Sequence, residues 1–436
     1  MFPGAMMDTP VAYHDGCYIS YSKLLNDVSS LVERLPKCLH QINLCENRYY
    51  YLVSFLAALQ LDQIVILPPS RAKKDIVDIE NEHESVYRLI DAVEDKVESS
   101  SYFFEDFLGK KQSDVTSIAF SSETKAVKLY TSGSTGSPVA HVKTWGELYS
   151  GALLTGERMR LGELNSFTLL ATVPQQHMYG LEASIMLPLV WNGVVSAYKP
   201  LMPDDIKRYA LELKPPLVFA TTPIHISGCT KVKASIPGIR LMISATAPLT
   251  QSVAVMAENL FATTLYEIYG STETGAIATR RSSKEESWTL LPGVSLHEVE
   301  GSFSVQLDHY AESVKLHDDI GVIDQQTFRL LGRSTDLIKI AGKRTSLGYL
   351  NARLLEIFDV DDGVFYFPDN AGISVQRTCV FVVAPKSGKE GIVCALRDRI
   401  DAAFMPREII FVNKIPRNAT GKVSQKSLED LYQKSC

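Results

Sequence analysis

Apolar residues recur along this chain with two periods, and their alternation predicts layered strands and helices. Tyr21 to Leu35 has the spacing of an amphipathic helix. Tyr50 to Gln60 is apolar on every side and reads as a buried helix. A short strand follows, Ile64 to Leu67, stopped by Pro68-Pro69. Lys73 to Ser100 is charge-rich and is expected to be a solvated segment. Ala126 to Tyr130 reads as a strand and Thr144 to Met159 as the helix after the next loop. Leu169 to Val173, Gly193 to Tyr198, Leu217 to Ala220, Ile239 to Ser244 and Thr264 to Tyr269 are short apolar runs, several of them separated by helical patterns. Repeated units of this kind imply a parallel sheet covered on both faces, hence an α/β fold.

The texture changes around Arg329 to Asp336. Beyond it lie a basic loop KIAGKR, a helix near Leu350 to Ile357, a β-rich stretch Thr378 to Val383 and a further helix near Gly391 to Ala403. A boundary at Gly332 to Thr335 divides residues 1–332 from residues 333–436, and the tail is long enough for a small α+β domain.

Composition narrows the function. Apolar residues make up 45% and charged residues 22%, the balance of a globular protein. A net charge of −6 argues against a general affinity for nucleic acid or anionic membrane. Cys17, Cys38, Cys45, Cys229, Cys379, Cys394 and Cys436 are scattered, with no Cys-x-x-Cys pair. This suits a reducing compartment and offers no zinc site. The N-terminus lacks the basic, apolar and small-residue order of a signal peptide. The most apolar early stretch, Tyr49 to Leu67, is broken by Gln60, Asp62 and Gln63, so no membrane span is expected. The expected location is cytoplasmic.

Chemistry concentrates in five stretches. Leu129 to Val139, LYTSGSTGSPV, follows a strand with an uninterrupted run of Gly, Ser, Thr and Pro. Such a run buries little apolar surface, but its backbone N–H groups and hydroxyls suit an anion. It is not a Walker A loop, since no Gly-Lys-Ser/Thr follows, and a flexible linker is the alternative. Pro174 to Leu181, PQQHMYGL, places His177 just past a strand, as a functional or a structural histidine. Tyr269 to Gly275, YGSTETG, sets Glu273 among hydroxyls, an arrangement for Mg²⁺ beside phosphates or an ordinary turn. In Gly332 to Arg344, GRSTDLIKIAGKR, the charges of Arg333, Asp336, Lys339 and Arg344 are site residues or a solvated run. Pro416 to Val423, PRNATGKV, presents Lys422 on a Gly turn, and taken alone it reads as an ordinary surface lysine.

Taken together, the order and spacing of these stretches resemble the adenylate-forming (AMP-binding) superfamily, of the acyl- and aryl-CoA ligase type. The resemblance runs from about Leu129 to Leu428. It implies an adenylate-forming enzyme fold: a large N-terminal domain of layered sheets and helices, and a small mobile α+β C-terminal domain. Thr131, Ser132, Gly133, Ser134, Thr135 and Gly136 match the phosphate-binding loop, and Pro174 to Gly180 the Pro-x-x-His-x-Tyr-Gly segment. SATAPL, with Ala245, Thr246 and Ala247, resembles the adenine-side segment. Tyr269, Gly270, Ser271, Thr272 and Glu273 match the Tyr-Gly-x-Thr-Glu motif. Asp319 and Arg333 fall at the ribose positions, Lys339 and Arg344 in the loop after the hinge, and Lys422 at the catalytic lysine.

What the resemblance implies is ATP-dependent activation of a carboxylic acid, small aromatic or medium acyl, to an acyl-adenylate with release of pyrophosphate. The acyl group then passes to the thiol of CoA or of the phosphopantetheine on an acyl carrier protein. Attack on the α-phosphate brings anions together, so cationic and hydrogen-bonding groups must offset the repulsion. In this reading Lys422 meets carboxylate and phosphate, Thr272 bonds the phosphate, Glu273 holds Mg²⁺, and His177 stands between acyl pocket and thiol channel. His177, Tyr179, Gly270, Ala276 and Ile277 are expected to line the acyl pocket. His177-Met178-Tyr179 stands where amino-acid-activating relatives place an Asp, which favours an uncharged acid. The alternatives are an enzyme that makes only the adenylate, and an inactive nucleotide-binding relative with a regulatory or assembly role.

The sequence also departs from the pattern. Pro138-Val139-Ala140 replaces the usual Pro-Lys-Gly, leaving Lys143 as the nearest lysine, and Thr335 replaces the usual Asp or Lys of the hinge. The chain is short before the glycine loop and between Glu273 and Arg333. Its compact form resembles small ligases of bacterial aryl-polyene pathways.

Overall fold

The computed structural model describes residues 4–92, 101–108, 115–132, 138–299, 302–316, 318–333, 337–340, 343–368, 377–417 and 423–435. Two large sheets share one body of helices. In the first, Pro10–His14, Gly193–Ser196, Phe167–Ala171, Leu217–Thr221, Ile239–Ser244 and Thr264–Ser271 lie side by side and parallel. Antiparallel strands extend it at both edges, among them Gly275–Arg280, Trp288–Leu290, Thr327–Arg333 and Asp318–Val322 at one end. The second sheet orders Ser101–Phe103, Val86–Ile90, His40–Asn43, Ile64–Leu67, Lys125–Ser132 and Pro138–Thr144, with only the last pair antiparallel.

The helix between the sheets is the one whose sequence is apolar all round. Arg48–Gln60 is buried on every face, and its start is fixed by the Asn47 side chain, which accepts from the N–H groups of Tyr49 and Tyr50. Tyr21–Arg34 packs against it through Leu24, Leu25, Val28 and Leu31. Trp145–Arg158 begins immediately after a strand because Thr144 and Glu147 form a capping box.

One expectation is corrected. The charge-rich stretch from Lys73 carries a helix, Lys73–Asn81, and a strand, Val86–Ile90, before its last residues, 93–100, pass outside the described residues. Ile76 and Ile79, three apart, form the helix's buried stripe, and Tyr87, Leu89 and Ile90 are buried in the strand. Lys73, Lys74 and Asp78 stay exposed while Arg88 is buried in an ion pair with Glu80, and this mixture of charges masks the apolar pattern in composition.

Past residue 337 the chain builds a separate core. A hairpin, Leu337–Ile340 with Lys343–Ser346, leads into helix Leu347–Leu355. Asp362–Tyr366, Cys379–Val383 and Glu408–Phe411 form a three-stranded sheet with helix Lys389–Arg397. Leu350, Leu354, Val380, Ile392 and Leu396 are wholly buried among themselves. Among the described residues no helix is long and apolar enough to cross a membrane.

Candidate active site

The site centres on the connection between strands Thr264–Ser271 and Gly275–Arg280. The Ser271 N–H donates to the Thr274 hydroxyl at 3.0 Å, and the Thr274 N–H donates to the Ser271 hydroxyl at 3.2 Å. The Thr274 hydroxyl in turn donates to the Gly275 carbonyl at 2.7 Å. These reciprocal bonds close the turn locally and leave Thr272 and Glu273 half-buried at its tip. The glycines are sterically required: a Cβ at Gly270 would meet the Gly275 carbonyl at 2.0 Å, and Gly275 has φ +67.

Behind this turn runs strand Pro138–Thr144. His141 and Lys143, two apart, share one face of it. Lys143 is buried, and its ammonium donates to the Glu273 carbonyl and, at 2.9 Å, to the Tyr310 hydroxyl. The Tyr310 hydroxyl in turn donates to the Thr274 carbonyl at 2.9 Å. Burial lowers the Lys143 pKa, while Glu147, Glu182 and Glu273 act to raise it. Lys143 therefore grips the backbone of the turn and does not stand in for the lysine missing at Val139. The Glu273 carboxylate lies 3.4 Å from His141 Nε2.

The expected acyl-pocket residues fall around the next helix. His177 is half-buried at the start of Met178–Leu181. The Tyr179 hydroxyl donates to the carbonyls of Thr221 and Ile243, at 3.0 and 2.9 Å, and so bridges two parallel strand ends. Burial raises its pKa. Gly270 is exposed. Ala276 and Ile277 are adjacent in one strand, so they face opposite sides and only one of them can line the pocket. Ile277 is wholly buried in a core with Trp288 and Phe328.

The residues expected on the nucleotide side are partly in view. Thr131 pairs with Val139 and Ser132 with Pro138 along the backbone, while Gly133, Ser134, Thr135 and Gly136 lie outside the described residues. Ala245 is buried, Thr246 and Ala247 half-buried. Thr246 has φ +81, and its hydroxyl, like that of Ser244, is buried with no partner among the described residues. Tyr269 packs by Trp288 and Phe328, with ring centroids 5.5 and 5.7 Å away. The backbones of Asp319 and Arg333 meet in one antiparallel pair, in which Asp319 is opposite Gly332 and Arg333 opposite Asp318. Lys339 stands opposite Arg344 in the hairpin. Asp336, Thr335 and Lys422 lie outside the described residues.

Four residues escaped sequence reasoning as site-builders. His141 and Tyr310 touch the turn from distant stretches. Glu182 accepts from the Ala276 N–H at 3.3 Å, and burial pushes its carboxyl up to about 7. It was detectable as the one charge in the apolar run from Met178 to Trp191. Arg48 is wholly buried and donates to Ser184 and to the carbonyls of Ala171, Val173, Ser196 and Tyr198. It fixes the strand end from which His177 departs.

These residues fit the expected ligands. Among the described residues no cluster of three or more His, Cys, Asp or Glu could hold a metal alone. A single carboxylate at a turn tip suits Mg²⁺ that shares its shell with phosphate oxygens and water. The orphaned hydroxyls of Ser244 and Thr246 suit a polar ligand at the strand end.

A family model described as AMP-binding enzyme matches residues 6–301. The chain is 27% identical to a 4-coumarate–CoA ligase of Halorhodospira halophila over 70% of this chain and 76% of that one. It is 23% identical to a 3,4-dihydroxybenzoate–[aryl-carrier protein] ligase of Bacillus anthracis, over 72% and 75%. The fold is similar to that of the O-succinylbenzoate CoA synthetase of Bacillus subtilis in complex with AMP, with TM-score 0.82, 15% identity and coverage of 97% and 96%. It is also similar to an anthranilate CoA ligase in complex with anthranoyl-AMP, with TM-score 0.82, 15% identity and coverage of 99% and 95%.

Proposed function

We propose that this chain, which belongs to the AMP-binding enzyme family, converts an uncharged aryl carboxylic acid and ATP into an acyl-adenylate and pyrophosphate, then passes the acyl group to a thiol. The observation that carries this reading is the closed Ser271–Thr274 turn, which presents Thr272 and Glu273 together at the end of a strand paired in parallel with Ile239–Ser244, where the Ser244 hydroxyl has no partner among the described residues. Thr272 bonds the α-phosphate and steadies it during attack. Mg²⁺, when bound at Glu273, neutralises phosphate charge. Asp319 and Arg333 take the ribose. Lys422 meets the attacking carboxylate, and the 333–436 domain turns about residues 332–335 to bring in the thiol. Relatives named for 4-coumarate and 3,4-dihydroxybenzoate support an aryl acid.

Incubation with ATP, Mg²⁺ and a panel of acids, with CoA or carrier protein as acceptor, tests this by mass spectrometry. The expected products are pyrophosphate and an aryl thioester. ATP left intact with every acid would overturn the reading, and adenylate without thioester would restrict it to the first step.

A further inference from the structure

We propose that Glu182 selects the substrate, by accepting a hydrogen bond from a neutral hydroxyl on the ring of an aryl acid. The inference rests on the acid-activating function proposed above and names the substrate class for that site. Glu182 follows Tyr179 by three residues and opens a π-helical turn, Glu182–Met186, an irregularity frequent at binding sites. Its carboxyl sits where helix Trp145–Arg158 and strand Gly275–Arg280 come close. Oε1 lies 2.5 Å from the position a Cβ would take on Gly275, and 3.5 Å from that on Gly151. The missing side chains of these two glycines make room for Oε1 itself.

Its hydrogen-bonding capacity is underused. A carboxylate offers about four lone-pair positions, yet the Ala276 N–H at 3.3 Å is its only hydrogen-bond donor among the described residues. Glu182 is half-buried, so protein does not pack it solid on every side. Its carboxyl adjoins the Ala276 N–H, in the strand that begins beside the Thr272 turn. Lys143 already lies within Coulombic reach of this carboxyl, and a neutral hydroxyl satisfies a free lone pair without burying a further charge.

ATP–pyrophosphate exchange on the whole protein at about pH 8.5, above the raised pKa of this carboxyl, with 4-coumarate, cinnamate and 4-methoxycinnamate tests this. The first carries a donor, the second nothing, and the third an ether of similar reach. The wild-type protein should favour 4-coumarate over both others by at least about tenfold in kcat/KM. Glu182→Leu should bring the three acids to within about threefold of one another, whereas Glu182→Gln, which keeps an acceptor oxygen, should retain most of the preference. Equal use of the methoxy and hydroxy acids by the wild-type protein would overturn the assignment, and this comparison stands even where the Leu variant fails to fold. A preference that persists unchanged in a folded Glu182→Leu would overturn it as well. Exchange with none of a wider acid panel would instead defeat the acid-activating function, and this inference with it.

Discussion

The ammonium of Lys143 donates to the hydroxyl of Tyr310 across 2.9 Å, and that hydroxyl donates onward to the Thr274 carbonyl across another 2.9 Å. The same ammonium holds the Glu273 carbonyl and lies 4.3 Å from the centre of the Tyr310 ring. One buried charge therefore fixes two successive carbonyls of the turn that carries Thr272 and Glu273. A charge-assisted bond of this kind is worth roughly 1.5–3 kcal/mol.

Lys143→Met should accordingly cut adenylation by about ten- to a hundredfold, by letting the turn wander from its working geometry. Tyr310→Phe keeps the ring and loses one link, so its loss should be smaller. The readout is kcat for ATP–pyrophosphate exchange during Mg²⁺ titration, with the Mg²⁺ requirement rising in both variants. Unchanged Mg²⁺ dependence in a folded Lys143→Met would refute the clamp.

The turn itself was legible in sequence because its geometry is local. Gly270, Ser271, Thr274 and Gly275 make its geometry within six residues, and short apolar runs before and after announce the strands. The role of Lys143 was not legible, since its partners lie 130 and 167 residues away. Arg48 is similar, reaching carbonyls 123 to 150 residues distant. In the stretch from Lys73, the mixture of exposed and paired charges concealed Ile76 and Ile79, which is where composition misled. Lone charges in apolar runs, Glu182 and Arg48, are cues that only tertiary partners can interpret.

Arg48 uses all five of its N–H donors at 2.7 to 3.2 Å on one hydroxyl and four carbonyls. Burial lowers its pKa to about 10, so the group stays charged at neutral pH. Arg48→Met would orphan those acceptors, and the expected loss is on the order of 3–5 kcal/mol. Arg48→Lys, with three donors and no planar fork, should recover only part of it. Urea unfolding measures both, and a Met variant as stable as wild type would contradict the accounting.

Glu182 should leave its mark on stability as a function of pH. Burial raises its carboxyl from 4.5 to about 7, so between those values the native state binds a proton that the unfolded chain has released. Stability from this group is then complete below about 4.5 and is lost as pH rises through about 7. The full span amounts to about 3 kcal/mol at most, less whatever solvent screens. Melting curves of wild type and Glu182→Gln from pH 5 to 8 should diverge, with the wild-type Tm falling relative to the variant. Parallel curves would mean that the carboxyl titrates normally.

Asp319 and Arg333 arrive by backbone register at the same end of one antiparallel pair. Assigned to the ribose hydroxyls as acceptor and donor, each should weaken ATP binding by about tenfold when changed to Ala. Lys422→Ala should leave ATP affinity and folding intact and nearly abolish adenylate formation. Calorimetry with ATP and single-turnover assays separate the two effects. Unchanged ATP affinity in both ribose variants would mean that the ribose lies elsewhere.

Thr246 combines two costs that nothing among the described residues offsets. Its φ of +81 is a left-handed conformation that a β-branched residue rarely adopts, at roughly 1–3 kcal/mol. Its buried hydroxyl has no partner among the described residues, and neither does that of Ser244 two residues earlier. Strain and orphaned groups persist together where a ligand makes use of them, and this strand end adjoins the proposed nucleotide site. Thr246→Gly should relieve the backbone and raise Tm, by about 1 kcal/mol of added stability, while reducing the thermal shift produced by ATP. Thr246→Ser keeps the hydroxyl and the strain, so it should retain the ATP shift and gain little stability. Melting both variants with and without ATP decides the matter: a Gly variant that melts lower and keeps the full ATP shift would show that Thr246 serves the fold and not the nucleotide.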